Sequence, residues 1–121
     1  MVGTNNLPNS ITFYDIVLKP LGLIRVDTQD DMVAYAPINS PAEIEFYVCK
    51  PFNQNPARFG NGAMIAFLAA SREMVEQFHQ LGIKNGGLNE GNPGPRPTKN
   101  DPYYAYLRDL DGNKLCVYCI R

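Results

Sequence analysis

The sequence predicts an α+β fold in which one plan, strand then helix then strands, is used twice. Three observations carry the prediction. Two segments repeat apolar residues at helical spacing, each behind a capping residue; short β-rich segments separated by turn residues follow them; and the carboxy-terminal stretch alternates side-chain character around an Asp-Gly turn. The residues of the two halves match only faintly. A chain of 121 residues suits one small domain that buries a single core.

The elements follow in order. After a short apolar start, "NLPNSITFYDIVLKPLGL" offers Asn6 as a cap, Pro8 near the first turn, and Ile11, Tyr14, Leu18 and Leu21 on one helical face, with Pro20 and Gly22 as the stop. "LIRVDTQ", "MVAYAP" and "EIEFYV" are rich in β-branched and aromatic residues and read as an antiparallel meander. "CKPFNQNPARFGNG" leaves the sheet as a loop. "AMIAFL", residues 63 to 68, is an apolar strand; Ser71 caps "REMVEQFHQL", whose Met74, Val75, Phe78 and Leu81 share a face, and Gly82 is expected to end that helix. Residues 87 to 102, "GLNEGNPGPRPTKNDP", are rich in Gly and Pro and predict a long loop, a lid or binding loop or else a mobile segment.

"YYAYLRD" and "KLCVYCI" close the chain as a hairpin around Asp111 and Gly112. Placing Asp109 opposite Asn113 sets Tyr106 across from Cys116, Arg108 from Lys114 and Tyr104 from Tyr118, a polar-aromatic face. Leu107 with Leu115, Ala105 with Val117 and Tyr103 with Cys119 make an apolar face for a helix. Cys116 and Cys119, three apart on a strand, then point to opposite sides and form neither a bridge nor a redox pair. Three cysteines without metal-binding spacing predict reduced thiols.

Composition excludes several classes of function. Hydrophobic residues make up 45% and charged residues 19%, ordinary values for a globular domain. A net charge of −1 gives no footprint for nucleic acid or an anionic membrane surface. There is no apolar run of the ~20 residues that span a bilayer, and "MVGTNNLPNS" lacks the pattern of a signal peptide, so the cytoplasm is the expected compartment.

On "FYDIVLKPLG", "NGAMIAF" and "RDLDGN" the chain resembles the vicinal oxygen chelate superfamily, which includes glyoxalase I, bleomycin-resistance proteins and extradiol dioxygenases. The resemblance spans nearly the whole sequence. It implies two βαβββ modules, about residues 1–50 and 61–121, whose sheets curl into a cup, usually in a homodimer. In metal-dependent members the cup holds a divalent ion on His and Glu side chains from four strands. This sequence departs from that pattern: Met64 stands where relatives read the histidine of G-x-H-I-A-F, and Cys116 where a glutamate follows D-P-D-G-N. The first-strand histidine would fall just upstream of Met1, and the fourth ligand in the strand around Glu45 and Tyr47.

Divalent ions want several carboxylate or imidazole donors, and one Glu is too few. The single histidine, His79, lies on the second helix beside Phe78, a core-edge position, and Met64 with Cys116 lacks the third ligand that Cu(I) would need. The sequence therefore predicts no cofactor, no metal site and no catalytic residue. It points to a metal-independent protein that binds a small organic ligand on Glu45, Tyr47, Phe59, Met64, Arg96, Tyr106, Cys116 and Tyr118. The alternative is a glyoxalase-like lyase, isomerase or dioxygenase with an atypical or incompletely encoded metal site. Thiol catalysis by Cys116 would have only Arg108 and Lys114 to activate it, with no histidine on a neighbouring strand.

Overall fold

The computed structural model describes residues 1–97 and 99–120. The first module runs β1 (Val2–Gly3), α1 (Leu7–Val17), a 3-10 turn (Lys19–Leu21), β2 (Leu23–Thr28), β3 (Met32–Pro37) and β4 (Phe46–Cys49). The second repeats the plan with β5 (Ile65–Leu68), α2 (Arg72–Lys84), β6 (Leu88–Pro95), β7 (Tyr103–Arg108) and β8 (Lys114–Cys119). Each module makes a four-stranded mixed sheet, ordered β1-β4-β3-β2 and β5-β8-β7-β6, in which the first strand runs parallel to the last. This is the expected α+β architecture, and the two sheets do not close on one another.

Both helices start where their caps predict. The Asn6 side chain accepts from the Asn9 N–H at 3.1 Å, and that of Ser71 from the Met74 N–H at 3.2 Å, each meeting a donor the first turn leaves orphaned. α1 buries Leu7, Phe13, Tyr14 and Val17; α2 buries Val75 and Phe78. A chain of aromatic contacts joins the modules: Phe13, Tyr14, Phe46 and Phe67 meet in sequence at centroid distances of 5.1 Å each, and Phe67 meets Phe78 at 5.7 Å. Their burial in one core explains why neither module needs a core of its own.

Two expectations are corrected. α2 does not stop at Gly82 but continues to Lys84. A Cβ at 82 would lie 2.8 Å from a Leu107 methyl, so the glycine serves close packing of helix on sheet, and the helix ends instead at Asn85 and Gly86, whose φ is +102°. Residues 87–102 are not one loop, because Leu88–Pro95 forms β6 and pairs antiparallel with β7. As an edge strand β6 tolerates Pro93 and Pro95, and its pairing is interrupted between Asn89 and Gly91 and again between Gly91 and Gly94. Thr98, in the remainder of that expected loop, lies outside the described residues.

The β7–β8 hairpin has the register read from the sequence, including Tyr106 opposite Cys116 and Tyr104 opposite Tyr118. Asp109 and Asn113 close it through an N–H···O bond of 2.9 Å, leaving three residues in the turn, with Gly112 at φ +84° supplying the left-handed position. Ala105, Leu107, Leu115, Val117 and Cys119 are buried against the helical layer.

Candidate functional site

A polar clasp built from the "DLDGN" turn ties the second module to the first. The buried Asp109 carboxylate accepts from the Asp111 and Asn113 N–H groups, from the Asn113 side-chain amide, and from the Tyr14 hydroxyl at 2.6 Å. Asn113 donates onward to the Gly3 carbonyl, while Asp111 accepts from the Asn5 N–H at 2.8 Å and the Ser10 hydroxyl at 3.2 Å. Ser10 shares a 2.6 Å bond with Thr4. Burial pushes the Asp109 carboxyl up against the opposing pull of these donors, and burial together with the Asp109 charge drives the Tyr14 hydroxyl well above its ordinary range. The clasp holds β1 and the start of α1 beside the start of β8, the junction at which the smaller of two neighbouring cavities opens.

Of these cavities, one of about 670 Å³ lies between the modules. Leu21, Leu23, Pro37, Glu45 and Phe46 line it from the first module, and Met64, Phe67, Leu68 and Tyr118 from the second. A neighbouring cavity of about 220 Å³ has Phe59 and Met64 in its wall. Beyond Tyr118 the outward face of β7 and β8 carries a stack of tyrosines: Tyr104 lies 5.4 Å from Tyr118 and 6.0 Å from Tyr106, with the Tyr104 and Tyr106 rings within 6° of parallel. Gly91 on β6 permits this arrangement, since a Cβ there would come within 2.9 Å of the Tyr106 ring. Arg96 lies over the Tyr106 ring at 5.5 Å, and the Lys114 ammonium is 5.6 Å from the same ring. Three backbone carbonyls, of Asn92, Gly94 and Pro95, accept from the Arg96 guanidinium and hold it in place.

The residues expected to bind a ligand are therefore only partly brought together. Glu45, Met64 and Tyr118 share the larger cavity; Phe59 and Met64 share the smaller; Arg96, Tyr106 and Cys116 cluster on the adjoining sheet face. Tyr47 stands apart on β4, opposite Ala34. Cys116, expected as a lining residue, is only 1% exposed, and burial pushes its thiol up to about 11 although Arg96 and Lys114 pull it down. Such a thiol is protonated at neutral pH and makes a poor nucleophile. His79 is buried at the core edge and bonds Asn89 at 2.9 Å. Arg58, in the wall of the smaller cavity, is a site residue that sequence reasoning missed. It shares that wall with Lys114, 56 positions away, a pairing that leaves no local pattern.

Comparison with solved structures decides the family. A glyoxalase/bleomycin resistance protein from Albidiferax ferrireducens T118 is 41% identical, with a TM-score of 0.88, over 98% of this chain and 94% of that one. The chain belongs to the glyoxalase/bleomycin resistance protein family. A glyoxalase-related enzyme from Fulvimarina pelagi (17% identity, TM-score 0.74, 98% and 83% of the two chains) shares the fold. So does a lactoylglutathione lyase from Agrobacterium tumefaciens (20% identity, TM-score 0.66, 98% and 88%). No family model and no curated protein matches the chain.

Within this family the residues present do not fit the divalent ion that the superfamily pattern implies. β8 offers a neutral, buried thiol at Cys116, Met64 just before β5 offers a thioether, and Arg96 and Lys114 bring positive charge to the thiol. Hard and borderline divalent cations are held by converging carboxylates and imidazoles. Among the described residues no three His, Cys, Asp or Glu side chains come together.

Proposed function

We propose that this member of the glyoxalase/bleomycin resistance protein family binds a small organic molecule without a metal ion. The observation that carries the reading is the 670 Å³ cavity between the modules, where Glu45 stands among the apolar and aromatic side chains of Met64, Phe67, Leu68 and Tyr118. Apolar and aromatic side chains combined with a few polar groups are what small-molecule sites use, and here the Glu45 carboxylate and Tyr118 are among the polar ones. The chemistry around Cys116 supports binding over catalysis: its thiol is neutral, and adjacent cations oppose a divalent ion. Met64, just before β5, and Leu68, at its end, are 46% and 60% exposed at the border of this cavity, where a second copy would cover them, so the working form is proposed to be a homodimer; the cytoplasm is the proposed compartment.

A thermal-shift screen of hydrophobic and cationic small molecules tests this. At least one saturable stabiliser is expected, and a ligand at one hundred times its Kd stabilises by about 2.7 kcal/mol. Tyr118→Ala and Met64→Ala, both at exposed or half-buried positions, are expected to abolish the shift while leaving the protein folded. Metal analysis of the purified protein provides the opposing arm. Stoichiometric divalent metal together with glyoxalase or dioxygenase turnover would overturn the reading in favour of an enzyme.

A further inference from the structure

Two cations line a cavity that contains no acid. The 220 Å³ space where β1, the 50–64 loop and the start of β8 meet is walled by Phe59, Met64 and Ile65, with Asn113 at its edge, and Arg58 and Lys114 both face it. Among the described residues neither cation has a carboxylate partner within ion-pair distance. Glu90, whose carboxylate feels the Lys114 charge, is held by Arg108. Positive charge that no ion pair neutralises, beside an apolar wall, favours an anion in the cavity.

The wall is set before any ligand arrives. Asn5 and Ala57 exchange two hydrogen bonds, side-chain amide to Ala57 carbonyl at 3.0 Å and Ala57 N–H to the Asn5 side-chain oxygen at 2.6 Å, which pins the loop one residue before Arg58. Phe59 is held by the hairpin turn: the Arg108 guanidinium lies 5.3 Å from its ring, and Gly112 approaches so closely that a Cβ would sit 2.7 Å from a ring carbon. Asn5 is itself bonded to Asp111 of the same turn. A loop already ordered in its binding geometry loses little entropy on binding.

We propose that this cavity takes a compact organic monoanion, its carboxylate between Arg58 and Lys114 and its apolar body against Phe59, Met64 and Ile65. The proposal rests on the small-molecule reading above and names the charge class of the ligand. A guanidinium and an ammonium match a carboxylate in charge and hydrogen bonding. At ~30 Å³ per water the space of about 220 Å³ holds about seven waters, room for a single small ring or a short chain. Met64 and Ile65 line both cavities, so a longer apolar tail has a path into the larger one.

Calorimetric titration with benzoate, its neutral counterpart benzamide, and inorganic phosphate tests the assignment. Benzoate is expected to bind saturably and more tightly than either. Arg58→Gln and Lys114→Gln should each weaken benzoate about tenfold, as loss of a charged hydrogen bond does, while Lys114→Arg retains it. Lys84→Gln, which removes one positive charge at the far end of α2, should leave binding unchanged. Arg58 is exposed, neither cation forms an ion pair among the described residues, and the Lys114 ammonium lies over the outer Tyr106 ring, so these variants are expected to fold. Benzamide equal to benzoate, phosphate equal to benzoate, or indifference of benzoate to both glutamine variants would each overturn the proposal. A neutral stabiliser whose effect depends on Tyr118 but not on Arg58 or Lys114 would overturn this inference and leave the small-molecule reading standing.

Discussion

Replacing Tyr14 by Phe isolates the bond that ties the modules together. The ring keeps its contacts with Phe13 and Phe46, both at 5.1 Å, so what is removed is the 2.6 Å bond to Asp109, between groups 0% and 5% exposed. A hydrogen bond to an ionised partner contributes about 1.5–3 kcal/mol net, and Asp109 retains the Asn113 and Asp111 donors, which places the expected loss near 2 kcal/mol. At ~4 °C per kcal/mol for a domain of this size, Tm falls by about 8 °C. The pH dependence supplies a second signature. Burial raises the folded-state pKa of Asp109, so stability from this group is gained as pH falls through that raised value and lost as pH rises through it. The Tyr14 bond favours the ionised carboxylate, and deleting it raises the folded pKa further. The Tyr14→Phe penalty is therefore full at neutral pH and narrows on acidification, once Asp109 is protonated in both proteins. Denaturant unfolding of the wild type, Tyr14→Phe, Asp109→Asn and the double variant at about pH 7 and pH 4 gives the coupling energy directly. A coupling near zero, or a penalty equal at the two pH values, would refute the clasp.

Three further outcomes follow from particular contacts. With the Cys116 thiol at about 11, its thiolate fraction at pH 8 is about one in a thousand (11 − 8 = 3 units); alkylation followed by mass spectrometry should mark the half-buried Cys49 first and reach Cys116 only as pH approaches that value, and equal labelling at pH 8 would contradict the burial argument. Gly87→Ala should destabilise by about 1–3 kcal/mol, because its Cβ would come within 2.8 Å of the Gly82 carbonyl and 2.9 Å of the Arg108 carbonyl, neither of which can turn aside; an unchanged denaturation midpoint would mean that β6 shifts freely. Asp15→Asn breaks the half-exposed, two-pronged Arg25 ion pair (3.0 and 3.2 Å) but keeps a side-chain oxygen for the Tyr35 hydroxyl, which lies 2.8 Å from the Asp15 carboxylate. It should lower stability by under ~1 kcal/mol with the ion-pair part of the loss screened by salt, and a larger, salt-independent loss would show that the Tyr35 bond rather than the ion pair carries the contribution.

How far the sequence carries depends on whether a feature is local. The β7–β8 register was legible because alternation with period two and an Asp-Gly turn leave one pairing that puts Leu107, Leu115 and Val117 on one face, and the observed pairs are those. Both helix starts were legible because Asn6 and Ser71 act on N–H groups three residues away. β6 was not, since "LNEGNPGP" has the composition of a loop and becomes a strand only through β7, whose Tyr106 needs a glycine beside it. Gly82 misled for the same reason: its lack of a side chain answers Leu107, 25 positions away, rather than the end of its own helix. The site divides along the same line. Met64 and Cys116 could be placed from flanking motifs, whereas Arg58 shares a cavity with Lys114 through long-range contacts, among them the Asn5–Ala57 bonds and the hairpin turn that packs on Phe59. The turn that closes the hairpin thus does three jobs at once: Asp109 anchors α1, Asp111 anchors Asn5, and Gly112 seats the aromatic wall of the anion cavity. Loosening the clasp at Tyr14 should for that reason weaken benzoate binding as well as stability, linking the fold's main polar contact to its proposed function.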